Sequence, residues 1–103
     1  MSALSDYAEN KLLDHLLGKT SFTMPASVRV ALFTAAPSDA GGGTEVSGGS
    51  YARQAIVVNS SSGGATNPNA DVTFPVASAS WGTVTHVGIF DAASGGNLLM
   101  WGA

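Results

Sequence analysis

The fold is decided by the sequence Ser80-Trp81-Gly82-Thr83-Val84-Thr85-His86-Val87-Gly88-Ile89-Phe90-Asp91, which continues through a Gly/Ser/Ala-rich turn into Asn97-Leu98-Leu99-Met100-Trp101-Gly102-Ala103. Successive side chains of a strand point to opposite faces, and here that alternation separates a β-branched row from a mixed row. The two rows are Thr83, Thr85, Val87 and Ile89 against Val84, His86, Gly88 and Phe90. This pattern predicts a strand with one buried face, paired in a hairpin with a second strand over 98–103.

Three further apolar runs predict partner strands for this hairpin. They cover residues 28–33, 51–58 and 70–74. Two long Gly/Ser-rich loops lie between them, at about 34–50 and 59–69. At least five short strands separated by polar loops predict a mainly β protein, an antiparallel β-sandwich or small barrel. Arg53 is expected to form an ion pair over this sheet, with Glu45 as its candidate partner.

One N-terminal α-helix is predicted in front of the strands, at about residues 3–17. Ser5 or Asp6 can cap its start, and Gly18 stands where a left-handed C-cap belongs. Leucines at helical spacing form an apolar stripe: Leu12, Leu13, Leu16 and Leu17. Two interpretations stay open, in which the stripe packs across the sheet or docks on a neighbouring subunit. His15, on the same side, is expected to be a partly buried packing residue.

The composition is poor in charge. The chain has 103 residues, of which 11% are charged and 45% hydrophobic, with a formal net charge of −3. Globular domains usually carry about 25% charged residues. Either part of the surface is covered by partner molecules, or the surface is simply rich in Ser, Thr and Gly. The length predicts a single domain over 1–103 with one modest core.

The composition argues against several classes of ligand and site. Its four Lys and Arg residues are dispersed, which argues against nucleic acid as a ligand. The absence of cysteine excludes disulfides and thiolate metal sites. No apolar run approaches the roughly 20 residues that span a bilayer, and no signal-peptide pattern opens the chain. We therefore expect a protein made and assembled in the cytoplasm.

No constellation of residues predicts catalysis. A serine, His86 and a carboxylate can be drawn together, but a serine-rich sequence offers such trios by chance, and none follows a nucleophile-elbow pattern. His86 is better explained as a tucked-in, hydrogen-bonded residue. Glycines 41–43 lack the Lys-Ser/Thr of a phosphate loop, and Asp39 and Glu45 lack the other oxygen ligands of a calcium loop. The sequence therefore predicts a protein that is not an enzyme and holds no cofactor or metal.

Three segments together resemble a family of small tailed-bacteriophage and prophage virion proteins, commonly labelled phage tail fibre or minor structural proteins. They lie at residues 4–17, at 31–54 with its Ala31-Leu32-Phe33-Thr34 and Ser50-Tyr51-Ala52-Arg53-Gln54, and at 79–91. Members of that family continue past the 98–103 strand with further β-structure, whereas this chain stops at Ala103. It is therefore expected to be either a short member or a truncated piece, and its apolar last strand favours the latter.

The resemblance implies a non-enzymatic structural protein of the virion, associated with the tail or fibre or decorating the capsid as a cement protein. It would act by self-association and by docking on other virion proteins. Candidate subunit contacts are Leu12, Leu13, Leu16, Leu17, Leu98, Met100 and Trp101, together with the 38–50 loop. The alternative is a receptor- or carbohydrate-binding module that contacts a host-surface glycan. That alternative predicts an exposed tryptophan, Trp81 or Trp101, as a binding platform.

Overall fold

The computed structural model describes residues 2–64 and 66–103 and is built around one antiparallel sheet. Its strands are β1 (Ser2–Leu4), β2 (Arg29–Ala35), β3 (Thr44–Glu45), β4 (Gln54–Ala55), β5 (His86–Phe90) and β6 (Leu98–Gly102). The helix α1 (Asp6–Leu16) follows β1. The spatial order is β1-β6-β5-β2-β3, and β4 pairs with β2 beside β3. The centre of the sheet is therefore the ladder β2-β5-β6.

The predicted hairpin is confirmed as the pair β5-β6. Val87 lies opposite Gly102 and Ile89 opposite Met100, and the register then shifts by a bulge before Phe90, which lies opposite Leu98. On its other side β5 pairs along its whole length with β2. Paired on both sides, β5 is the central strand.

The second edge of β2 is covered in two short pieces. β4 pairs with Arg29 and Val30, whereas β3 pairs with Phe33 and Ala35. Between them, the amide of Leu32 donates to the Tyr51 hydroxyl at 3.0 Å. A side chain thus completes a ladder that would otherwise leave a backbone donor unpaired.

The core lies on one face of this sheet. Ala31 is fully buried, and Phe33 stacks on Phe90 with ring centroids 6.1 Å apart. A Cβ on Gly88 would lie 2.9 Å from the Phe33 ring, so glycine lets both rings close over the middle of β5. The remaining buried apolar residues are Ala8, Val46, Leu98 and Leu99. Within β5, the buried face is therefore the mixed row of Gly88 and Phe90, whereas the β-branched Val87 is exposed on the other face.

The mainly β class, the antiparallel pairing and the single N-terminal helix are confirmed. The described strands form one open sheet, so no second sheet layer of a sandwich stands opposite them. The helix is shorter than the predicted 3–17, because Ser2–Leu4 pair with β6 as a strand and the chain leaves the helix at Leu17. Ser5 is the N-cap, and Gly18 has the predicted left-handed φ of 77°.

Two predicted strands are largely wrong. Of 51–58 only Gln54–Ala55 is a strand, and 70–74 contains none. Tyr51 and Phe74 stack on each other instead, with Trp81 edge-on to both, and the Trp81 indole N–H donates to Gly49 O at 2.8 Å. An aromatic cluster thus replaces strand pairing in this part of the chain.

Among the described helices, none is long and apolar enough to cross a membrane.

Candidate assembly surface

The helix stripe is an exposed apolar feature of the chain. Its four leucines, Leu12, Leu13, Leu16 and Leu17, are between 36% and 79% exposed, and exposure rises toward the end of the helix. We call these four residues the leucine surface. Of the two interpretations left open by the sequence, packing across the sheet is therefore not what the structure shows.

The leucine surface is exposed because α1 is attached to the sheet only by its first turns. The Ser5 hydroxyl accepts from Ala8 N at 3.1 Å and donates to Leu98 O, and Ser5 N donates to Leu99 O at 2.9 Å. Ala8 is buried, but every residue from 9 to 20 is exposed. The last two turns of the helix therefore project from the sheet into solvent.

The end of the projecting helix is held by local contacts. Lys19 N donates to Asp14 O at 2.7 Å, and Phe22 N donates to His15 Nδ1 at 3.0 Å. The ring of Phe22 meets Tyr7 edge-on, with centroids 6.4 Å apart. The prediction of a partly buried packing role for His15 is wrong, since the residue is exposed and anchors the chain that returns from the helix.

The three predicted contact residues of β6 are placed differently from one another. Leu98 is only 7% exposed and belongs to the core. Met100 is 39% exposed on the opposite face of the sheet. Trp101 is half-buried and donates its indole N–H to Asp39 Oδ1 at 3.0 Å. The structure thus does not bring the seven predicted residues together in one surface.

A second apolar surface lies on the face of the sheet opposite the core. The register aligns Leu4, Met100, Ile89 and Val30 in one row and Val87 and Leu32 in the next. We call these six residues the open face. Met100 and Val87 are exposed, and the other four are half-buried. The sequence analysis did not identify this surface. The alternation of side chains along β2 and β5 contains it, but alternation alone does not tell which face of the sheet the rest of the chain covers.

The strongest polar cluster is centred on Arg53. The guanidinium bonds both carboxylate oxygens of Glu45, each at 2.8 Å, which confirms the predicted pair. Its remaining donor nitrogen bonds the carbonyl oxygens of Ala92 and Gly95 in the β5-β6 turn. The guanidinium also lies 3.8 Å from the centre of the Phe90 ring. Arg53 therefore ties the loop before β4 to the turn of the central hairpin.

Tyr51 joins this cluster and perturbs its proton affinities. Its hydroxyl donates to Glu45 Oε2 at 2.6 Å. Burial by itself raises the pKa of Glu45, but the hydrogen bonds from Arg53 and Tyr51 and the Arg53 charge outweigh burial and hold that pKa below its ordinary value. Burial and the bond to Glu45 raise the pKa of Tyr51 to about 12. Every polar group of the cluster is thus occupied within the protein, as expected for a structural cross-link.

One open pocket lies beside the start of α1. It encloses about 630 Å³ between the helix start, glycines 41–43 and the hairpin turn. The rings of Tyr7 and Phe90 and the polar side chains of Asp39 and Asn97 line it. Aromatic rings and amide or carboxylate groups are the residue types that contact small polar ligands.

The histidine predicted to be tucked in is confirmed as half-buried and hydrogen-bonded. His86 Nδ1 lies 2.8 Å from the Thr85 hydroxyl, and its ring centroid lies 6.1 Å from that of Trp101. Among the described residues, no group of three His, Asp or Glu side chains could hold a metal ion.

Comparison with known families agrees with the resemblance seen in the sequence. Residues 3–103 match the family described as Podophage GP4 fiber I protein gp80, whereas no curated protein matches the chain. The match spans the helix and every strand except the first residue of β1, so it covers both apolar surfaces and the Arg53 cluster. The chain belongs to the podophage GP4 fiber I protein gp80 family and is a structural fibre protein of the bacteriophage virion.

Proposed function

We propose that this protein builds the fibre by burying its apolar surfaces against neighbouring virion proteins and against copies of itself, without making or breaking bonds. The leucine surface is the observation that carries the proposal. It is held away from the sheet by a capped helix whose residues beyond Ala8 are all exposed. An apolar stripe that the described residues leave uncovered is suited to contact with another protein.

Burial of the leucine surface would contribute favourable free energy to docking. Full burial of a leucine side chain contributes about 1.5–3 kcal/mol, so a contact that covered Leu16 and Leu17 alone would contribute a few kcal/mol. Those two residues are 74% and 79% exposed, so most of that contribution is still available. Met100 and the half-buried Trp101 offer further contact area on β6.

A structural role also fits the state of the reactive groups. Arg53 and Tyr51 both donate hydrogen bonds to Glu45, and His86 is hydrogen-bonded to its neighbour Thr85. We propose no catalytic residue, and the Arg53 cluster serves to hold the loop and the turn in place.

The proposal is tested by measuring the mass of the protein and its incorporation into particles. The Leu16→Gln/Leu17→Gln variant should lower the average mass in analytical ultracentrifugation or the copy number in purified particles, while its circular dichroism stays that of the wild type. Asn10→Gln, on an exposed position of the same helix, is the matched control. A protein absent from particles and monomeric at every concentration would contradict the proposal.

A second candidate function is binding of a host-surface glycan. The exposed tryptophan expected for it is not found, since Trp81 and Trp101 are both half-buried, and the pocket beside α1 is what favours this function instead. Sugars bind where aromatic rings stand beside carboxylate and amide groups, and Tyr7, Asp39 and Asn97 meet there. Trp101 donates to Asp39 and would report on occupancy through its fluorescence. Glycan titrations that change this fluorescence in the wild type but not in Tyr7→Ala would support the candidate, and no change with any glycan would end it.

A further inference from the structure

The pocket beside α1 is lined by negative charge. The carboxylates of Asp6, Asp39 and Glu45 line it, whereas no Lys, Arg or His of the described residues does. Arg53 neutralises Glu45, because its guanidinium bonds both oxygens of that carboxylate. Among the described residues, Asp6 and Asp39 form no ion pair. A ligand in the pocket therefore meets the uncompensated charges of these two side chains.

Hydrogen bonds inside the chain leave acceptor oxygens open in this pocket. Trp101 donates to Oδ1 of Asp39 and so positions that carboxylate, whose Oδ2 accepts no bond from the described residues. The Asn97 side chain donates one N–H to Asp91 Oδ2 at 3.0 Å, and its carbonyl oxygen likewise accepts none. Carboxylate and carbonyl oxygens can only accept. They are therefore suited to a ligand that donates hydrogen bonds.

The start of α1 does not reverse this preference. The N–H groups at a helix N-terminus attract anions, but a whole terminus is equivalent to only about half an elementary charge. Two of these N–H groups are also bonded within the chain: Asp6 N donates to Asp39 O at 2.8 Å, and Ala8 N donates to Ser5 Oγ at 3.1 Å. The full charges of the two carboxylates therefore outweigh the helix terminus.

The aromatic rings of the pocket have an affinity for cations. An ammonium or guanidinium group is attracted to the face of an aromatic ring, and each ring already holds a cation of the chain that does not itself line the pocket. Arg53 lies 3.8 Å from the centre of the Phe90 ring, and Lys11 Nζ lies 5.7 Å from that of Tyr7. Even with both of these cations counted, the three carboxylates leave the pocket negative.

We infer that the pocket binds a sugar that carries a protonated amino group, with the ammonium beside Asp39 and Asp6 and the sugar ring against Tyr7. The inference rests on the second candidate function, glycan binding, and names the class of sugar that the pocket selects. A volume of about 630 Å³ is within the range of about 300–1,000 Å³ that is usual for small-molecule sites. A neutral sugar would leave both carboxylates unpaired, and an anionic sugar would be repelled.

Three probes with the same ring test the selection: glucosamine, glucose and glucuronate, which are cationic, neutral and anionic. Each is titrated at one ionic strength and at about pH 6, where a primary amine is protonated. The indole N–H signal of Trp101 in NMR spectra reports binding because it is bonded to Asp39, and that of Trp81, bonded to Gly49 O, is the internal reference. Glucosamine should bind about fivefold more tightly than glucose, as an exposed ion pair allows. Glucuronate should bind more weakly than glucose.

A matched pair of variants assigns the preference to the pocket. Asp39→Asn keeps an acceptor for Trp101 but removes the charge, so glucosamine should bind it no more tightly than glucose. Asp14→Asn makes the same change of charge at an exposed position of α1 outside the pocket and should keep the preference. A preference that persists in Asp39→Asn overturns the inference. A wild type that binds glucose or glucuronate as tightly as glucosamine also overturns it and leaves glycan binding standing. A wild type in which no sugar moves the Trp101 signal overturns both.

Discussion

The two faces of the sheet are similar in apolar character and very different in burial. Phe33 on the buried face is 2% exposed, whereas Val87, on the neighbouring strand but on the open face, is 38% exposed. The start of α1 and glycines 41–43 lie on the Phe33 side, where they line a pocket together with the Phe33 ring. Burial in this protein is thus decided by the course of the connections around the sheet.

The largest expected effect comes from removing the centre of the buried face. Phe33→Ala should lower the free energy of unfolding by about 3–5 kcal/mol, because it leaves a cavity under Phe90 and beside Gly88. Val87→Ala should cost well under half of that in the same urea titration. Both are measured at one low protein concentration, because association makes stability depend on concentration. Equal losses would contradict the asymmetry between the faces.

The next effect concerns the polar cluster that closes one end of the buried face. Arg53→Ala should lower the free energy of unfolding by about 2–4 kcal/mol, since it leaves two carbonyl oxygens without that donor and the Glu45 charge with the Tyr51 hydroxyl as its remaining partner. Arg53→Lys keeps the charge but not the planar fork, so it should recover only part of that loss. Thermal unfolding of both variants measures this, with Lys19→Ala as the surface control. A fully stable Arg53→Lys would show that charge alone holds the cluster.

The elements that the sequence predicts well are those with strong local signals. The strand around Ala31, the hairpin strand ending at Phe90 and the left-handed cap at Gly18 all follow from alternation or from glycine chemistry. The pair of Arg53 and Glu45 was also predictable, because Glu45 is the acidic residue nearest to Arg53 in the sequence. These features need no knowledge of distant parts of the chain.

The elements that were predicted wrongly depend on distant partners. Ala3 and Leu4 favour helix by propensity, yet they pair with Trp101 and Met100 almost a chain length away. The run at 70–74 has strand-forming residues but finds no strand to pair with, and Phe74 stacks on Tyr51 instead. The leucine stripe was predictable as a pattern, but its exposure depends on α1 being attached only by its first turns.

A smaller effect is expected at Ser5, where α1 is attached to the sheet. Ser5→Ala removes both the cap on Ala8 N and the bond to Leu98 O, and should cost about 1–2 kcal/mol with a loss of helical circular dichroism. Ser5→Thr keeps both bonds and should recover most of the stability if the methyl group fits this buried site. Ser94→Ala, at an exposed position, is the matched control. A stable, fully helical Ser5→Ala would show that packing of Ala8 alone holds α1 to the buried face.

The smallest expected effect is a dependence of the free energy of unfolding on pH, caused by Glu45. The pKa of Glu45 is below its ordinary value of 4.5, so the folded protein binds fewer protons than the unfolded chain in that range. The stability that Glu45 contributes is therefore present above pH 4.5 and is lost as the pH falls through its lowered pKa. Because the carboxylate is partly exposed, the contribution should be at most about 1 kcal/mol.

Urea titrations between pH 6 and pH 3 measure this contribution in the wild type and in Glu45→Gln. The wild type should lose more stability on acidification than Glu45→Gln, which lacks the titrating group, and Asp71→Asn at an exposed position should follow the wild type. Identical pH profiles for the wild type and Glu45→Gln would mean that the Arg53 pair adds no net stability. The Arg53 cluster would then be held by the hydrogen bonds that the Arg53 guanidinium donates to the carbonyl oxygens of Ala92 and Gly95, which do not titrate in this range.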